Sequence, residues 1–214
     1  MFNANETAKQ VAGSLLEIEA VALRPHDPFT WTSGIRSPIY CDNRLTMSYP
    51  QIRDFIAESF AALIREQYPE AEVIAGTATA GIPHAAFVSQ KLGLPMVYIR
   101  DKAKGHGKEN QIEGLIRPGQ QVVVIEDLIS TGGSSLKAAL AVKAAGAEPA
   151  AVLAIFSYQL DKAVSAFEEA GIPLQTLSNY TSLIEVAVEQ GKIKTEDLEL
   201  LQSWRKDPSS FAKS

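Results

Sequence analysis

At 214 residues the chain is long enough for one well-cored domain, and 46% hydrophobic with 21% charged residues is the balance of an ordinary soluble enzyme. A formal net charge of -5 argues against broad nucleic-acid binding, and the lone cysteine, Cys41, excludes an intramolecular disulfide and fits a reducing compartment. No apolar run reaches the ~18 residues a membrane span requires, and the first residues lack the basic start and apolar core of a signal peptide, so the expected setting is cytoplasmic.

The chain opens with an amphipathic helical pattern over residues 5–23, with Val11, Leu15, Ile18 and Ala22 on one face. Residues 24–44 are rich in Pro, Gly and aromatics and are expected to form loops and short strands. Pro50 sits near the start of a second helix whose apolar face is Ile52, Phe55, Ile56, Phe60, Leu63 and Ile64. From residue 72 short apolar runs alternate with helical patterns. The runs at 72–76, 96–100, 121–126, 150–156 and 173–177 are candidate strands, and helices are expected at 82–92, 134–145, 160–170 and 181–190. Such βα repetition predicts an α/β fold, a parallel sheet flanked by helices. A last polar helix at about 195–206 is expected on the surface. The segment 101–112 has neither period nor apolar content and reads as a mobile loop. One domain over 1–214 is expected, with a small N-terminal hood at about 1–48 and a core at about 49–214.

The most informative stretch is Val122-Val-Val-Ile-Glu-Asp-Leu-Ile-Ser-Thr-Gly-Gly-Ser134. Its apolar start suits a central parallel strand, and ligands in such sheets bind beyond the carboxyl ends of the strands. Ser130, Thr131, Gly132, Gly133 and Ser134 offer small side chains and backbone N–H groups at a helix N-terminus, the parts of a phosphate cradle. Glu126 and Asp127 suit a ligand that also carries hydroxyls or a divalent metal. A phosphorylated ribose combines these features. The bland alternative is an ordinary capped βα turn. In the segment from Tyr98 to Asn110, Lys102, Lys104, His106 and Lys108 alternate with other residues, and an extended chain would place all four on one face. A solvated charge run is the usual fate of such lysines. Beside a phosphate motif, they suit a cationic flap closing over a polyanion. In the stretch 29–44, aromatics could stack on a flat base and arginines could meet a carboxylate. Simple burial of Trp31 and Tyr40 is the equal alternative for any single residue.

Residues Glu126 to Ser134 resemble the 5-phosphoribosyl 1-diphosphate signature of type I phosphoribosyltransferases. No Gly-Lys-Ser/Thr follows the glycines, so this is not a Walker A loop. Gly76-Thr-Ala-Thr-Ala-Gly81 resembles the family's pyrophosphate-binding turn. The flap, with Arg100, Lys104 and His106, and the stretch 29–44 resemble those of orotate phosphoribosyltransferases, although Asp101 stands where members often carry a second Lys. The resemblance runs from the N-terminal helix to Trp204. It implies a Rossmann-like type I fold that transfers phosphoribosyl from phosphoribosyl diphosphate to orotate, with Mg2+ as cofactor, for pyrimidine (UMP) biosynthesis. It implies that Arg100, Lys104, His106, Glu126, Asp127, Leu128, Ile129, Ser130, Thr131, Gly132, Gly133 and Ser134 bind the donor. Lys104, His106 and Asp127 would act in catalysis, and Ser130 would touch orotate. No residue is assigned as a metal ligand. A homodimer, with the flap of one subunit reaching the other's site, is implied on the same ground. A transferase for a purine or another base, and a non-catalytic sensor of phosphoribosyl diphosphate, are the alternatives. His26 and His84 lack metal-ligand spacing and are expected in a loop or on a helix surface. Cys41 has no evident partner base and is not expected to be a nucleophile.

Overall fold

The computed structural model describes residues 2–31, 34–102 and 111–208. Helix α1 (Ala4–Glu17) starts where the side chain of Asn3 accepts a hydrogen bond from the Glu6 N–H, which satisfies one of the helix's orphan donors. The predicted helix over 5–23 is too long. Glu19 adopts φ +56°, and Val21–Leu23 forms strand β1, antiparallel to Ile39–Cys41 (β4), with Val21 opposite Cys41. A long-range strand pair thus outcompetes the local helical period. Phe29–Thr30 (β2) pairs with Arg36–Ser37 (β3), and these two small ribbons with the 3-10 helix Asn43–Ser48 make the hood.

Helix α2 (Pro50–Gln67) begins on proline, whose missing N–H is no loss at that position. The remaining elements are β5 (Val73–Thr77), α3 (Gly81–Leu92), β6 (Met96–Ile99), β7 (Ile112–Glu113), β8 (Gln121–Ile129), α4 (Gly133–Ala144), β9 (Glu148–Ser157), α5 (Asp161–Ala170), β10 (Leu174–Asn179), α6 (Tyr180–Glu189) and α7 (Leu198–Lys206). One sheet runs in the order β10-β9-β8-β5-β6-β7. All neighbours are parallel except β6 and β7, which are antiparallel. The predicted loop at 101–112 therefore ends in a strand that turns back along β6.

The strands alternate between two cores. Ile74, Val123 and Ile125 face a cluster built with Val11, Phe60, Val88 and Leu183 of α1, α2, α3 and α6. Val73, Ala75, Val122 and Val124 face Ala138, Val142 and Phe167 of α4 and α5. Burial on both faces explains why these runs read as continuously apolar, and each buried Val or Ile contributes about 1.5–3 kcal/mol. The last helix lies at the surface as expected, with Glu199, Gln202, Ser203 and Lys206 exposed, but one of its faces is core, and the surface expectation for His84 fails. The last helix buries Leu201 and Trp204 completely, with the Trp204 ring against Trp31, Tyr158 and Tyr180. His84 is only 2% exposed, because α3 packs on the sheet and on α2 at once. No helix among the described residues is long and apolar enough to cross a membrane.

Candidate active site

The chain leaves β5 toward β6 in one direction, and leaves β8 toward β9 and β10 in the other. The carboxyl ends of β5 and β8 therefore form the switch point of the sheet, where a crevice opens between diverging crossovers. A cleft of about 360 Å³ lies there, lined by Cys41, Asp42, Arg44, Ala78, Thr79, Ala80, Glu126, Asp127, Leu128, Ser130 and Ser134. A larger groove of about 740 Å³ runs between α1 and α6, away from this constellation.

Two turns border the cleft. After β5, the peptide between Ala78 and Thr79 is cis, and the Ala78 N–H donates to the Ile99 carbonyl (2.8 Å). Gly81 then opens α3 so close to β8 that a Cβ would collide with the Ile125 carbonyl oxygen. At Gly76 a Cβ would stand 2.8 Å from the Ile82 Cα. These glycines serve close packing. After β8, Gly132 takes φ +76° as the residue before α4, with no side-chain cap, and a Cβ on Gly133 would meet nothing within 4 Å. The N-terminus of α4, with the positive end of the helix dipole, lies at the cleft that Ser130 and Ser134 line, an arrangement suited to an anion.

Strand β8 is longer than its apolar run and includes Glu126 and Asp127. Pairing with β5 ends at Gly76 opposite Ile125, and the register with β9 passes from Glu126–Ala154 to Leu128–Phe156. The Asp127 N–H donates to Glu126 Oε1 (3.0 Å). Burial pushes both carboxyls above their usual range, and for Glu126 the neighbouring Asp127 charge adds to the effect. Two adjacent, desolvated acids favour holding a proton between them until positive charge arrives.

The hood closes one side. Arg44 pairs bidentately with Asp42 (2.6 and 2.9 Å), which holds the Asp42 carboxyl below its usual range. Asn43 is fully buried, and its Nδ2 donates to the Asp127 carbonyl oxygen (2.7 Å). The Cys41 thiol donates to Asn43 Oδ1 (3.2 Å), and burial raises its pKa, so it is a poor nucleophile. Trp31 donates from Nε1 to the Ile39 carbonyl (3.2 Å) and packs on Tyr158, which is a structural use. Tyr40 remains 48% exposed beside Phe29.

The segment expected to form a flap lies in the chain between β6 and β7, and only its two ends are among the described residues. Arg100 N donates to the Gln111 carbonyl, and Gln111 Nε2 donates back to the carbonyls of Arg100 and Asp101. The Arg100 guanidinium lies 3.3 Å from Glu113. Asp101 receives Lys137 Nζ from α4 on its carbonyl (2.6 Å) and carboxylate (3.0 Å), so the residue that departs from the family pattern ties the flap root to α4. Lys104, His106 and Lys108 lie outside the described residues.

Of the other residues expected to bind the donor, Glu126, Asp127, Leu128, Ser130 and Ser134 line the cleft. Thr131 and Gly133 are exposed beside it, and Gly132 is buried under Phe167. Ile129 puts its side chain into the core, and its carbonyl accepts from the Tyr158 N–H. Arg100 stands at the same end of the sheet, next to the pair of Thr77 and Ile99. Asp42 and Asn43 escaped notice in the sequence, since their partners' positions depend on the hood folding over β8.

A Mg2+ ion fits this donor set as one that arrives with its ligand. Among the described residues no group of three or more His, Cys, Asp or Glu side chains could hold a metal. Mg2+ in such sites is bound by one or two carboxylates together with substrate phosphate oxygens, and Glu126 and Asp127 supply that number.

Comparison with known proteins agrees with the geometry. Residues 48–188 match the model of the phosphoribosyl transferase domain. Over 208 residues the chain is 60% identical to the orotate phosphoribosyltransferase of Enterococcus faecalis, covering 97% of this chain and 99% of that protein. The Bacillus subtilis orotate phosphoribosyltransferase is 56% identical over 207 residues, 96% of each chain. The crystal structure of orotate phosphoribosyltransferase from Aeropyrum pernix superposes with a TM-score of 0.74 at 25% identity, over 86% of this chain and 99% of that one. The chain belongs to the phosphoribosyltransferase family, in its orotate phosphoribosyltransferase branch.

Proposed function

We propose that the chain transfers the 5-phosphoribosyl group of phosphoribosyl diphosphate to orotate, giving orotidine 5'-monophosphate and pyrophosphate for UMP synthesis. The observation that carries this reading is the single contiguous stretch 126–134, which presents the buried Glu126, the half-buried Asp127 and a helix N-terminus to one cleft. In this reading the amides and hydroxyls of Ser130 to Ser134 hold the 5'-phosphate, which does not react. Such remote binding orients the reacting carbon. Glu126 and Asp127 accept hydrogen bonds from the ribose hydroxyls. The bond from C1 to the diphosphate oxygen breaks, its electron pair leaves with pyrophosphate, and a ring nitrogen of orotate forms the new bond to C1. Positive charge grows on the ribose during this step. Acids that ionise reluctantly when alone gain the most from a cation placed against them.

The turn at Ala78–Ala80 faces the departing pyrophosphate across the cleft, and Lys104 and His106 supply it with charge or a proton. Arg100 contributes from the flap root. Ser130 touches orotate. Glu126 and Asp127 would hold Mg2+ together with the polyphosphate, and the ion would supply neutralising charge for the leaving group. The working unit in this reading is a homodimer, by resemblance to orotate phosphoribosyltransferases, and the lone buried thiol suits a reducing, cytoplasmic setting.

Pyrophosphate release measured with a panel of bases, with and without Mg2+, tests the proposal. Release with orotate that requires Mg2+ is the expected result. Preference for adenine, hypoxanthine or uracil would reassign the acceptor, and binding of phosphoribosyl diphosphate without release for any base would favour a sensor.

A further inference from the structure

We propose that Asn43 is a positioning residue, the hood's clamp on the main chain of the acid pair. Asp127 stands two residues beyond the last β8 residue paired with β5, Ile125 opposite Gly76. There β5 has already ended, at Thr77, and the pairing with β9 passes from Glu126 to Leu128, so no strand residue is paired with Asp127. A buried carbonyl without a partner is expensive, and native structures rarely leave one. Two side chains take the missing strand's place. The Glu126 carboxylate receives the Asp127 N–H at 3.0 Å, and the Asn43 amide donates to the Asp127 carbonyl at 2.7 Å. Asn43 is itself 0% exposed, and its oxygen is used by the Cys41 thiol. Its amide therefore cannot turn over without breaking both contacts.

The same hood turn carries Asp42 and Arg44 at the cleft wall. Asn43 thus fixes the distance between the hood and the acids, and with it the gap in which the acceptor and the ribose meet. This inference rests on the phosphoribosyl-transfer reading for its kinetic readout only.

The test compares Asn43→Ala, the volume-keeping Asn43→Leu, and Thr46→Val. Thr46 Oγ1 donates to the Asn43 carbonyl (2.6 Å) in the same turn without touching Asp127, so its loss reports turn stability alone. With orotate and phosphoribosyl diphosphate, both Asn43 variants are expected to lose about 10- to 100-fold in kcat, the rate equivalent of one orphaned buried group. KM for the diphosphate is expected to stay within about threefold. Thr46→Val is expected to keep kcat near the parent value. In parallel, the carbon-13 chemical shift of the Asp127 main-chain carbonyl, read at constant pH, is expected to move in both Asn43 variants and to stay unchanged in Thr46→Val. The assignment is overturned if the Asp127 carbonyl shift does not move, or if Thr46→Val loses as much kcat as the Asn43 variants. If the parent protein turns over no base, the transferase reading falls, and the carbonyl shift alone decides the role of Asn43.

Discussion

The turn after β5 and the turn after β8 lie side by side at the cleft, yet they use glycine for opposite purposes. Gly76 and Gly81 are needed because backbone approaches backbone there, with Ile82 and Ile125 as the obstacles. Gly132 is needed for its positive φ, and Gly133 has open space in front of it. The first turn is a tightly seated wall. The second is an open rim at a helix N-terminus. A wall and a rim suit different ligand groups: in the proposed function the rim takes a terminal phosphate by its amides, and the wall sets the depth of what lies beside it.

This contrast is broken most severely by Gly81→Ala. Its Cβ meets a main-chain oxygen that cannot step aside, and a loss of about 3 kcal/mol or more is expected in urea denaturation. Asp127→Asn should be nearly silent in the same measurement but lower kcat/KM for phosphoribosyl diphosphate by about 100-fold, since the charge facing the developing cation is gone. Gly132→Ala forces a left-handed conformation on a residue with a Cβ and presses on Phe167 at 3.0 Å. A loss of about 1–2 kcal/mol is expected, with weaker binding of ribose 5-phosphate.

The last effect concerns pH and is the smallest per pH unit. The folded-state pKa of Glu126 is raised, so between the ordinary carboxyl range and that raised value the folded state binds more protons than the unfolded one. Stability of the ligand-free protein should therefore fall as pH rises through that window, by at most about 1.4 kcal/mol per pH unit. Glu126→Gln should flatten the dependence and leave the protein more stable than its parent at the alkaline end. A steeper dependence in the variant would contradict the assignment.

The rim was legible in the sequence because it is local. Strand, loop and helix start follow one another over residues 122–134, and a main-chain anion site needs little beyond glycines and a helix N-terminus. The strands of the core were legible for a similar reason, since burial on both faces leaves a continuous apolar run. What escaped the sequence depends on distant partners. Nothing near Asn43 announces that its amide will meet the carbonyl of a residue 84 positions away. Val21–Leu23 continues a helical period until β4 claims it. His84 reads as a surface residue until α2 covers it, and burial then lowers its pKa to about 4. Ile129 sits inside the donor signature yet belongs to the core, because the strand runs four residues past the acids' apolar lead-in.

The central claim is that the open rim after β8 holds the 5'-phosphate. Amide chemical-shift mapping on nitrogen-15-labelled protein, titrated with ribose 5-phosphate, tests it most directly. The largest shifts are expected at residues 130–135, with smaller changes at Glu126 and Asp127 and little at Ala78–Ala80 until pyrophosphate is added. Shifts centred instead on Gly13, Glu189 and Gln190 in the groove between α1 and α6 would contradict the account.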